Sequence, residues 1–237
     1  MSNTILGNID IDMKKLIVDA MENATDLYKF FKQQSPFTTT HNCYPSARWD
    51  AINEALSNNL LKEDLPFATT KKGFWDLLLF CNRENTIIFS AMRKDRFSYV
   101  CDNPEKNAPQ YFDSLVTLNK NLKAIASQVT FEGSYEASDK YNQLEILCNK
   151  LPLQKNSSIT HVVVVFDVYY DEITSINLYV VNSKFEIVET EDIFDTVLQS
   201  QKPNIVPEAV FDNEESSTSK QKGFVKLKNT INAANNA

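Results

Sequence analysis

Glycine and histidine are scarce. The 237 residues hold four glycines (Gly7, Gly73, Gly133, Gly223) and two histidines (His41, His161). No two glycines stand close enough to form a phosphate-cradling loop, which excludes a Walker loop and a dinucleotide fingerprint in their usual forms. Two histidines cannot build a three-histidine site or a His-Glu-x-x-His zinc site. Long apolar runs are missing too: the longest, Val162–Phe166, is far too short to cross a bilayer. The first residues, MSNTILGNIDIDMKK, have no continuous apolar stretch ahead of their charges, so no signal peptide is read there. Without Gly at position 2 or a C-terminal Cys, the usual lipid anchors are not expected. Cys43, Cys81, Cys101 and Cys148 lie far apart with no C-x-x-C, and are read as reduced thiols. The expected location is the cytoplasm, with no membrane partner.

The rest is ordinary for a globular protein, at 43% hydrophobic and 23% charged. The net charge of −7 argues against non-specific binding to a phosphate backbone and leaves room for a local basic patch. Apolar residues from Ile9 to Phe31 recur at three- and four-residue steps, which predicts an amphipathic helix over residues 9–33 ended by Ser35-Pro36. Ser46 is the expected cap of a second helix carrying Trp49, Ile52, Leu56 and Leu60. Residues 73–81 and 86–92 read as a β-hairpin around Asn82–Asn85. A helix is expected from Tyr111 to Ile125, and another from Ala137 to Leu151, ended by Pro152. Ile159–Tyr170 is the most apolar strand, with a turn at Asp171-Glu172 and a hairpin partner in Ile173–Val181. Phe185–Val188 reads as a further strand and Ile193–Leu198 as a last helix.

These elements predict an α+β fold: antiparallel hairpins forming a sheet packed by helices on one face. Residues 1–202 are read as one domain, with candidate subdivisions near 103–109 or 152–158. Residues 203–237 read as a disordered tail, whose end, Lys220–Ala237, carries four lysines and no acid. No internal repeat of fixed period is read; the two halves share a coarse pattern of helices and a hairpin that does not amount to a duplication.

The chemistry-bearing candidates are few. Arg93-Lys94-Asp95-Arg96 leaves a buried strand and places guanidiniums where they can grip a carboxylate or phosphate bidentately. The plain alternative is a solvated strand-to-helix connection. Arg83, in the hairpin turn, is a candidate to join them. Asp76, Asp167, Asp171 and Glu172 are the carboxylates best placed for metal chemistry; a magnesium-dependent nuclease needs an acid on one strand and a D/E-x-K on the next, and no such tripeptide follows Asp76 or Asp167. His41 and Cys43 make a poor dyad without a third orienting group. His161 opens the main strand with no ligand type beside it and is read as an ordinary strand-end histidine. Phe74, Trp75, Phe80 and Phe89 could stack on bases, yet their placement among leucines and isoleucines assigns them to the core. No cofactor is expected.

The runs Ala47-Arg-Trp-Asp-Ala-Ile-Asn53, Gly73-Phe-Trp-Asp-Leu-Leu-Leu-Phe80, Phe89-Ser-Ala-Met-Arg-Lys-Asp-Arg-Phe97 and Tyr111-Phe-Asp-Ser-Leu-Val-Thr-Leu-Asn119 resemble an uncharacterised domain family of low-GC Gram-positive bacteria and their prophages and plasmids. The resemblance covers about residues 10–195 and carries over no catalytic residue. It implies a mobile-element setting, where phage-resistance and toxin–antitoxin proteins are common. The leading expectation is an interaction or regulatory protein, with enzymatic activity left open. It would bind a macromolecular partner, expected to be a protein, through Arg93–Arg96 and the tail; the same basic residues are also the candidate contact for nucleic acid. The alternative is a divergent magnesium-dependent nuclease using Asp76 or Asp167, and a third expectation is a host-damaging toxin.

Overall fold

Two strands with no polar side dictate the layout. Ile87–Met92 is buried throughout, and so is His161–Phe166. Strands apolar on both sides need cover on both faces, the usual mark of parallel neighbours. The computed structural model describes residues 4–35, 39–72, 75–103, 111–123, 144–146, 148–153 and 158–201. Its strands are β1 (Phe67–Lys72), β2 (Trp75–Cys81), β3 (Ile87–Arg93), β4 (Thr160–Tyr169), β5 (Glu172–Val181) and β6 (Ile187–Asp192). They form a six-stranded sheet in sequence order. All neighbours are antiparallel except β3 and β4, which run parallel from Ile87↔Thr160 to Arg93↔Phe166.

The helices are α1 (Ile11–Gln34), α2 (Tyr44–Lys62), α3 (Lys94–Asp102), α4 (Tyr111–Val116) and α5 (Ile193–Gln201). On one face α1, α2 and α5 bury Ile17, Met21, Ile52, Leu56 and Val197 against Phe80, Phe89, Val162, Val164 and Phe166. On the other, α3 and α4 bury Phe97, Val100, Phe112 and Leu115 against Leu79, Ile88, Met92, Val163 and Val165. The α+β class stands. The single helical layer expected from sequence becomes two, because β3 and β4 lack the polar alternation that would let one side face water. The candidate subdivisions near 103–109 and 152–158 do not divide the fold either: β3 and β4, on either side of both, pair along seven residues.

Several local readings shift. Asp10 caps α1, accepting from the Asp12 amide at 3.3 Å. The second helix starts at Tyr44, with Cys43 as its N-cap, ahead of the expected Ser46. β1, Phe67-Ala-Thr-Thr-Lys-Lys72, has no strong apolar alternation and was not expected as a strand; it is specified by its ladder to β2. The β4–β5 turn sits at Tyr170-Asp171, both at positive φ (47° and 71°), one residue earlier than expected. The Asp171 carboxylate accepts from Lys32 of α1 and Arg48 of α2, tying the hairpin tip to both helices. The helix expected to run from Tyr111 to Ile125 ends at Val116, passing into a 3₁₀ turn at Thr117–Asn119. Most of the helix expected over residues 137–151, and the tail from 203, lie outside the described residues.

The chain uses one unit twice: a three-stranded meander that enters a helix without a loop, β1–β3 into α3 and β4–β6 into α5. Each second hairpin turns on an asparagine. Asn82 Oδ1 accepts from the Thr86 and Ile87 amides, and Asn182 Oδ1 from the Lys184 and Glu186 amides. Asn85 and Phe185 take the positive φ that each turn requires (57° and 65°).

Asn119 locks the second layer to the sheet. Its side chain is 1% exposed. Its amide donates to the carbonyls of His161 and Val181, both at 2.8 Å, and its oxygen accepts from the His161 amide at 2.9 Å. Removing it strands buried backbone groups on β4 and β5. Asn119→Ala is expected to lower unfolding free energy by about 2–4 kcal/mol, read from urea denaturation; a loss below about 0.5 kcal/mol, the range of surface substitutions, would show that the three bonds do not stabilise the fold.

Candidate functional site: a fork between two strands

The ladder between β2 and β3 is short. It pairs Cys81↔Ile88, Phe80↔Phe89 and Leu79↔Ser90, and stops. Beyond it, Leu78 to Trp75 stay with β1, and Ala91 to Arg93 stay with β4. The sheet therefore forks at the end where β3 finishes. The turn end of this hairpin is held by Asn82 and by the stacked rings of Phe80 and Phe89, whose centroids are 5.0 Å apart. At the other end the two strands do not pair with each other.

A cleft of about 210 Å³ fills the fork. Its walls are Asp76, Leu77 and Leu78 of β2, and Ala91 and Met92 of β3. Trp49 and Asn53 reach it from α2, and Tyr111 from α4. Trp75 flanks it, 48% exposed. Arg93 and Arg96 complete its lining at the start of α3. Trp49 is fixed edge-on against Phe166 at 5.4 Å, and Asn53 donates to the Asp76 carbonyl at 3.4 Å, so α2 holds one prong of the fork in place.

The sequence cluster Arg93-Lys94-Asp95-Arg96 is therefore a strand-to-helix junction with no connecting loop. Arg93 ends β3 and Lys94 begins α3. Arg93 pairs with Asp95 at 3.1 Å and Lys94 with Asp167 at 3.5 Å, each pair substantially exposed. Arg96 lies over the Tyr99 ring at 5.3 Å. Exposed pairs of this kind contribute roughly 0–1 kcal/mol, so an incoming anion displaces them at little cost. The equivalent junction in the second unit is built differently: Asp192 accepts from the Phe194 and Asp195 amides at the start of α5. At α3 that place belongs to Arg93, with no side-chain cap.

Asp76 joins Arg93 and Arg96 at the cleft. Asp167 does not: β3 stands between β2 and β4, and neighbouring strands are about 4.8 Å apart. The Asp167 carboxylate accepts from the Val168 amide at 2.9 Å as well as pairing with Lys94. Arg83 does not join the others. It lies at the turn end of the hairpin, roughly 20 Å of strand away from Arg93, and donates to the Glu63 carbonyl at 3.4 Å. Phe80 and Phe89 belong to the core as expected, whereas Trp75 does not; Phe74 lies outside the described residues. Trp49, Asn53 and Tyr111 were not legible as site residues, because two separate helices, α2 and α4, supply them.

The remaining candidates are structural. His41 stacks on Tyr44 at 4.6 Å. All four cysteines are free, and burial pushes the thiols of Cys81 and Cys101 up to about 12 and that of Cys148 to about 11, which keeps them protonated and unreactive. Among the described residues no group of three or more His, Cys, Asp or Glu is arranged to hold a metal ion.

His161 stands at the start of β4, as expected, and is buried there, 1% exposed. Its Nε2 is 2.9 Å from the Ser90 hydroxyl, and the Phe112 ring stands edge-on to it at 5.8 Å. Ser90 is fully buried, so this pair does not meet a substrate. Burial pushes the imidazole down to about 3. Below pH about 6.5 the unfolded chain takes up a proton that folded His161 refuses, so stability falls as pH drops from about 6.5 towards about 3. Between pH 7 and 4.5 this histidine alone is expected to cost about 2–3 kcal/mol. Urea midpoints of the native protein and His161→Gln at both pH values test it: the variant should lose less stability on acidification, and equal losses would contradict the assignment.

Comparison with curated proteins and with solved structures yields no match. Among the described residues, no helix is long and apolar enough to cross a membrane. A family model does match, over residues 6–237, nearly the whole chain and including every residue of the fork. The chain belongs to that family, DUF5986, a family of unknown function.

Proposed function

We propose that this protein works by binding: it engages a macromolecular partner at the β2–β3 fork and on the basic shoulder formed by Arg93, Lys94 and Arg96. One observation carries the reading. Asp76, Arg93 and Arg96, chosen from sequence for separate reasons, line one aromatic cleft where the sheet opens. The shoulder suits an anionic group, because Arg93 and Lys94 are held by exposed, replaceable ion pairs. Open clefts with a few convergent polar groups are the default place to look for a ligand. The proposed setting is the bacterial cytoplasm, in a phage-resistance or toxin–antitoxin system carried by a mobile element, with the protein as its regulatory or interaction component. The support for that setting is the family resemblance of the sequence, not the geometry.

A second reading, a magnesium-dependent nuclease, draws on Lys94, whose ammonium is 3.5 Å from the Asp167 carboxylate. It requires a second carboxylate beside Asp167, and Asp76 stands on the far side of β3.

The test is affinity capture of the full-length protein from its native host, with and without nuclease treatment, beside the Arg93→Ala/Arg96→Ala variant. Both side chains are at the surface, so the variant should stay folded, with thermal unfolding shifted by a few degrees at most. The native protein is expected to retain one stoichiometric partner, and the variant to lose it by about tenfold or more. Recovery of the same partner by the variant would show that the shoulder is not the interface. Magnesium-dependent cleavage abolished by Asp76→Ala or Asp167→Ala would instead establish the nuclease reading.

A further inference from the structure

Resting on the binding reading, we infer that the partner is a single-stranded nucleic acid, with one unpaired base held in the β2–β3 fork and the adjoining phosphates on the Arg93–Lys94–Arg96 shoulder. The argument starts from size. At about 210 Å³ the cleft falls short of the roughly 300–1,000 Å³ that enclose a whole drug-sized ligand. It has room for one ring system, and the rest of the ligand must lie outside. Arg93 and Arg96 of the basic junction line the cleft at the end of β3, next to where the rest of the ligand would emerge.

The lining then sets the chemistry of that ring. Trp49, Trp75 and Tyr111 offer aromatic surface, and an unpaired base is a flat ring with two faces to stack. Asp76 and Asn53 supply a carboxylate and an amide in the same cleft. A carboxylate accepts from exocyclic amino groups, as it does from cytosine. It repels a phosphate, which orients the ligand base inward and backbone outward. A phenylalanine or leucine anchor from a protein partner would fill the cleft without using the exposed Asp76 carboxylate. The arginine fork geometry suits phosphate oxygens bidentately. The protein's overall charge of −7 opposes long-range attraction to any polyanion, so affinity has to come from the local contacts of the base and the shoulder.

The two tryptophans of the chain are Trp49 and Trp75, and both line the cleft. Intrinsic tryptophan fluorescence therefore reports on this site alone. The experiment titrates the full-length protein at low salt with short oligo-dC, oligo-dA and oligo-dT strands, with a blunt DNA duplex, and with cytidine and thymidine monophosphates. Fluorescence quenching and the anisotropy of dye-labelled strands are read in parallel.

The expected result is saturable quenching by single strands, stronger for oligo-dC and oligo-dA than for oligo-dT. Binding should weaken with salt, and about tenfold or more in Arg93→Ala/Arg96→Ala. Trp75→Ala is expected to cost about tenfold. Asp76→Asn should narrow the preference for amino-bearing bases, and an unchanged ratio of oligo-dC to oligo-dT affinity would overturn its role in reading the base. Strand binding by anisotropy with no quenching would overturn the base-in-fork inference and leave the shoulder as a binding surface. Equal affinity for a monophosphate and a strand would overturn the strand and make the ligand a free nucleotide. No binding to any nucleic acid would overturn this inference alone; the host capture, scored for a protein lost in the arginine variant, then decides the binding reading by itself.

Discussion

The parallel pairing of β3 with β4 is the constraint on which the rest depends. Each strand is the last or first of an antiparallel meander, and each meander by itself would be a small sheet with one covered face. Joining them along seven residues makes one sheet whose two central strands are buried on both sides. Parallel neighbours cannot be linked by a tight turn. The chain must cross over, and the crossover carries α3 and α4 onto the face that α1, α2 and α5 leave open. The second helical layer thus follows from the direction of one strand. Burying the side chains of β3 and β4 contributes about 1.5–3 kcal/mol for each large apolar residue.

The same pairing creates the fork. β3 can satisfy its final residues with β4, so it has no need of β2 there. β2 can satisfy its first residues with β1. The two strands separate without leaving the sheet, and helices above and below close the gap into a cleft. A site of this kind uses the rigid ends of regular elements, and its polar groups stand at the boundary between the two helical layers.

Polar groups buried in this fold are structural where they are enclosed and exposed where they are replaceable. Asn119, Ser90 and His161 connect β3, β4 and β5 to the second layer, with hydrogen bonds near 2.8–2.9 Å. Lys14, also buried, is met by the Glu191 carboxylate at 2.7 Å. At the fork, Arg93 and Lys94 are held by exposed carboxylates that water can replace. The charges that stabilise the core are thus separate from those at the fork.

Period and punctuation in the sequence determined most of the elements: the long amphipathic stripe of α1, the strand at Ile159–Tyr170 and its hairpin partner, and the α+β class. Those signals are local, written in side-chain alternation and in turn residues such as Asn82. Sequence also singled out Arg93, Arg96 and Asp76, because charge stands out in apolar surroundings. Tertiary structure decided the rest. β1 is weakly patterned and is a strand because β2 offers a ladder. The direction of β4 relative to β3, and so the number of covered faces, is a long-range choice that alternation within one strand does not encode. Trp75 reads as core in an apolar run and becomes a cleft residue only because β2 parts from β3 above Leu79. Trp49, Asn53 and Tyr111 come to it from two helices, and no spacing in the chain brings them together before the sheet does.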